Sequence, residues 1–146
     1  MVKMEIPSDE LTEIESNYEN GTYKELEDCL EEFLSEHAKE IPGFKERVEE
    51  KFHRRFSLKE AINLFILQHK LVNLRLDLRD QIREVEKEVW YRRERNEDAD
   101  LEKVAGEWIE KYAEAWRTHR TREIIYIFRR DCERYLGVVC RHAELA

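Results

Sequence analysis

His119 and Glu123 stand four residues apart in WRTHRTREIIYIFRR, Trp116 to Arg130. On a helix that spacing puts both side chains on one face. An imidazole and a carboxylate so placed can share a metal ion, or the carboxylate can orient the ring for proton transfer. Helical di-iron centres need more: several carboxylates and repeated Glu-x-x-His units. This chain has one such unit, Glu50-Lys-Phe-His53, with Glu60, His69 and Glu123 as further donors. Cys29, Cys132 and Cys140 form no CxxC pair and give no zinc-ligand spacing. The sequence therefore predicts no metal and no cofactor. It contains no Gly-rich phosphate loop, nucleophile elbow or dinucleotide fingerprint, and it names no catalytic residue.

The other reading of the same residues is a polar seam. Glu60, His69, Asn73, Arg75, His119 and Glu123 form the candidate set, either as a ligand site or as packed polar groups. A hairpin turning near residue 95 or 96 sets Glu123 close to Gln68 and His119 close to Val72, with Arg75 available to pair with Glu123. Such a pair fixes register more than it adds stability.

Arginines surround the opening segment: Arg117, Arg120, Arg122, Arg129, Arg130 and Arg134. Nucleic-acid binding needs several cations on one face, and these project in different directions, with Glu114, Glu123, Asp131 and Glu133 among them. Residues 1–50 hold 16 acidic against five basic residues, a net of −11, which leaves +3 for the remainder of a chain of net charge −8. The arginines are thus expected to pair with the acidic front of the chain. Nucleic acid is the less favoured partner.

The elements that must position these groups are helices. Charged residues make up 41% of the 146, and four Gly and two Pro are the only strong interrupters. The expected class is all-α: a four- or five-helix bundle in which two long antiparallel helices form a projecting hairpin. Residues 1–56 supply short acidic helices. The first runs from an N-cap at Ser8 to Asn20-Gly21. The second follows a capping box at Thr22 and Glu25, and the third follows a break at Pro42-Gly43. Residues 57–142 supply the hairpin, opened by a second capping box at Ser57 and Glu60, with its turn near 94–98. A continuous rod through 92–98 is the alternative. The two long helices, about 57–93 and 98–140, would be roughly 50 and 60 Å long at 1.5 Å per residue.

In the first long helix one stripe, Leu64 through Leu71, Leu74, Leu78, Ile82, Val85 and Val89, is continuous, while an opposite stripe stops at Leu76. In the second, the face marked by Leu101, Trp108 and Tyr112 gives way after Ile124 to Phe128, Cys132, Tyr135 and Val139. One end of the hairpin is therefore wrapped on two sides and the other on one. The thin end carries Val89, Trp90, Tyr91, Trp108, Ile109 and Trp116, a set of anchors suited to an interface. The expected function is a soluble, self-associating protein–protein interaction or scaffold module, a homo-oligomer or the subunit of a protein partner. A helical enzyme or ligand sensor using the polar seam is the second reading, and an arginine-based nucleic-acid scaffold the third. An odd cysteine count, no secretory leader and no long apolar run point to the cytoplasm and away from a membrane.

Overall fold

A computed structural model describes residues 6–69 and 72–144. All regular structure among them is helical, with no strand. The helices are α1 Ser8–Glu19, α2 Lys24–His37, α3 Ile41–Phe52, α4 Leu58–His69, α5 Leu74–Glu94, α6 Leu101–Arg130 and α7 Cys132–His142. This exceeds the four or five expected, because each long helix divides. The chain forms two compact units: Met1–Val72 with Thr121–Ala146, and Asn73–Arg120. The former is the first unit and the latter the second.

The division at residue 73 has a local cause. Asn73 is extended (φ −149°, ψ 107°), which no continuous helix allows, and its Oδ1 accepts the Leu76 N–H at 2.9 Å. Asn favours that N-cap position because its side chain satisfies a donor the helix leaves orphaned. The apolar stripe across this point gave no hint of a break, and its member Leu71 lies outside the described residues. The second division falls at Asp131 (φ −124°, ψ 47°), after which α7 starts afresh.

Three helix starts also differ from expectation. Ser8 is the first residue of α1, with Pro7 at the N-cap. The N-cap of α2 is Tyr23, which makes no side-chain cap bond, so the Thr22–Glu25 box does not open that helix. Pro42 sits in the first turn of α3, where a missing N–H costs nothing, so Pro42 begins a helix here. The Ser57–Glu60 box forms as expected: the Glu60 N–H donates to Ser57 Oγ at 3.1 Å and the Ser57 N–H to Glu60 Oε1 at 3.0 Å. Gly21 adopts φ +77° between α1 and α2, a left-handed conformation that glycine takes without strain.

In the first unit, α2 packs on α7, and α3 on α4. Its centre is fully buried Ile14, Leu30, Leu34, Ile41, Ile62, Ile66, Ile124, Ile125, Ile127, Phe128 and Tyr135. The run Ile124 to Phe128 is closed on more than one side, as the change of apolar face implied. Restarting the helix at Cys132 lets Tyr135, Val138 and Val139 be buried, while Arg134 engages Glu27, Asp28 and Glu31 of α2.

In the second unit, α5 and residues 101–120 of α6 enclose Val85, Val89, Val104, Trp108 and Ala113. Residues 95–100 are not helical, and Asn96 has φ 56°, which removes the continuous rod. Asp100 Oδ2 accepts the Lys103 N–H at 3.2 Å at the start of α6. Arg92 donates to Glu107 at 2.6 Å, and Arg120 reaches back to Asp77 and Asp80.

Candidate interaction surface

Four residues of the expected polar seam, Glu60, His69, Asn73 and Glu123, have partners within their own units. Glu60 closes its capping box and also receives Arg54 at 2.8 Å. The Ser57 N–H, and then Arg54, hold the Glu60 carboxyl below its ordinary range. His69 lies against Phe65 (ring centroids 4.2 Å) and His37 (5.3 Å), with Nδ1 3.0 Å from the Phe65 carbonyl. Asn73 caps α5, and Arg75 is exposed on that helix. His119 is half-buried in the second unit. Glu123 is buried in the first, hydrogen-bonded to Tyr23. Burial, followed by the Glu123 charge, pushes the Tyr23 phenol upward. Among the described residues, no three His, Cys, Asp or Glu side chains come together as metal donors.

A polar seam does exist, made of other residues. In the second unit Arg120 is buried, with Nε 3.3 Å from Asp77 Oδ1 and its terminal nitrogen on Asp80. Asp77 is itself buried. The Trp116 ring covers the guanidinium at 4.8 Å. The pairs Arg120–Asp80 and Arg92–Glu107 put the midpoint of the pairing near residue 100. A midpoint of 95 or 96 sets Arg120 opposite residues that precede α5. The available signal was Asp77, a lone carboxylate among Leu74, Leu76 and Leu78.

The arginines are largely engaged by carboxylates. Arg122 pairs with Glu10 at 2.9 Å, Arg130 with Glu19 at 3.1 Å, and Arg134 with three acids of α2. The acidic front of the chain does face these cations.

The large apolar side chains left exposed are unevenly placed. Among the described residues, all of them except Phe52 lie in the second unit: Leu74, Leu78, Ile82, Trp90, Tyr91, Leu101, Ile109 and Tyr112. Of the expected surface set, Trp90, Tyr91 and Ile109 are exposed. Val89 (7% exposed) and Trp108 (8%) are not on that surface and form part of the unit's own core. They point at the opposite helix, so they stabilise the unit. Trp116 is half-buried over Arg120. Leu74, Leu78 and Ile82 were expected to be covered as part of a continuous stripe. They instead line a shallow trough of about 570 Å³ with Arg75, Arg79, Arg83 and Glu86.

Comparison with protein-family models, with curated proteins and with solved structures found no match. No helix among the described residues is long and apolar enough to cross a membrane.

Proposed function

We propose that this chain is a helical protein–protein interaction or scaffold module that self-associates through its second unit. The observation that carries the reading is the concentration of exposed large apolar side chains in that unit. Exposed apolar patches mark contact sites, and aromatic anchors dominate their energetics. Trp90, Tyr91, Leu101, Ile109 and Tyr112 all lie on the stretches of α5 and α6 nearest the connection at 95–100, the natural place for a self-contact. In this reading the α5–α6 pair of the second unit carries the contact.

Sedimentation equilibrium of the full chain tests it. The expected result is a mass that rises with concentration in the wild type, and a monomer mass for Trp90→Glu and Ile109→Glu with an unchanged helical spectrum. A wild-type mass fixed at the monomer value up to high concentration removes self-association.

A further inference from the structure

Helix α5 carries two parallel rows of side chains away from its own core. Leu74, Leu78 and Ile82 recur every four residues and are 58%, 49% and 56% exposed. Arg75, Arg79 and Arg83 recur beside them with the same spacing, and Glu86 closes the basic row. Residues four apart stack along one helix face, so the rows run side by side for about 12 Å at 1.5 Å per residue. Asp80 lies against Arg79, Arg83 and the buried Arg120, and Arg75 makes no ion pair among the described residues. The row therefore keeps net positive charge.

We propose that this double row docks an acidic amphipathic helix from a different protein, its apolar stripe on Leu74, Leu78 and Ile82 and its carboxylates on Arg75 and Arg83. The inference rests on the interaction-module reading and names the partner chemistry for one face of it. Charge decides against a second copy of α5. Antiparallel pairing about Leu78 sets flanking rows of the same kind against each other, Arg facing Arg. Parallel pairing sets the arginines against the other flank, where Asp77 is buried against Arg120 and Gln81 is neutral. Charge also decides against nucleic acid or an anionic bilayer. The basic row is two turns long, and Glu84, Glu86 and Glu88 follow it on the same helix, where a polyanion would be repelled. An acidic helix with a cation opposite Glu86 meets none of these penalties, and a helix laid on an apolar strip is a recurrent recognition mode.

The test is fluorescence anisotropy of the full chain with three labelled synthetic helical peptides. One carries a Leu stripe flanked by Glu, one is its scramble, and one has Lys in place of each Glu. The acidic peptide is expected to bind at least tenfold tighter than the other two. Leu78→Asp, at an exposed position, is expected to weaken it at least tenfold with the helical spectrum retained. Arg75→Glu combined with Arg83→Glu is expected to reverse the preference toward the Lys peptide. Equal binding of the acidic and scrambled peptides overturns the proposal. So does tighter binding of an oligo-uridine RNA or of phosphatidylserine vesicles that is lost in the same variants. Self-association measured on the same samples separates the two readings. Peptide binding by a strictly monomeric chain removes only the dimer, and a dimer indifferent to the acidic peptide removes only the docking face.

Discussion

Ser57 and Glu60 hold each other through two backbone N–H groups, and Arg54 adds a third contact to the same carboxylate. Replacing an N-cap serine by alanine costs about 1 kcal/mol, so Ser57→Ala should lower stability by that order in urea unfolding. The Glu60 carboxyl is held below its ordinary range by the Ser57 N–H. A depressed carboxyl contributes stability that is fully present above its unfolded value and is lost as pH falls through the folded one. Glu60→Gln keeps an acceptor for the Ser57 N–H but cannot titrate. Its urea midpoint should change less than the wild-type midpoint between pH 6 and pH 3, and an identical acid slope for both would contradict the assignment. Arg120 presents the opposite balance. It is buried beside buried Asp77, so Arg120→Met strands a carboxylate. Removing one partner of such a pair costs about 3–5 kcal/mol. Adding Asp77→Asn to Arg120→Met should recover part of that loss. A single variant as stable as wild type would mean that the pair holds nothing in place.

At the scale of elements, local chemistry was legible and long-range register was not. The reciprocal Ser57–Glu60 box is written in four consecutive residues and forms. The break at Asn73 is also local, but an unbroken apolar stripe outvoted one polar residue with a strong capping preference. The pairing of α5 with α6 depends on a connection whose length periodicity cannot fix. A shift of its midpoint from 95 or 96 to near 100 moves the residues opposite Arg120 from before α5 onto Asp77 and Asp80. That is why a polar seam was anticipated while Asp77 and Asp80 were missed. Val89 and Trp108 could be placed on the thin helix pair, and their burial is what assigns them to its core. Gly106 shows where α6 is suboptimal. It lies inside the helix, and a Cβ there meets nothing within 4 Å. Glycine in a helix interior costs about 0.5–1 kcal/mol relative to alanine. Gly106→Ala should stabilise the second unit by that order, and a destabilised variant would show that the glycine serves a contact or a bend.

At the scale of the molecule, the two units differ in how much they bury, and the tryptophans allow one of them to be watched alone. Trp90, Trp108 and Trp116 are the only three in the chain, and all belong to the second unit. Most of the fully buried large side chains belong to the first, Val104 being the second unit's representative among them. Apolar burial is the main favourable contribution to folding, at about 25 cal/mol per Å², and segments with few buried contacts open at lower free energy than the rest. The second unit also leaves Leu74, Leu78, Ile82, Trp90, Tyr91 and Tyr112 exposed to water, where they contribute little to its folding. Tryptophan fluorescence should therefore report unfolding at a lower urea concentration than far-ultraviolet circular dichroism, which averages over both units. Gly106→Ala should move the fluorescence midpoint upward and narrow the gap, and Ser57→Ala should move only the later transition, because the capping box lies in the first unit. Coincident transitions by both probes, in the wild type and in both variants, would mean that α6 couples the units into one cooperative whole. In that case a partner bound to α5 stabilises the whole chain and not the second unit alone.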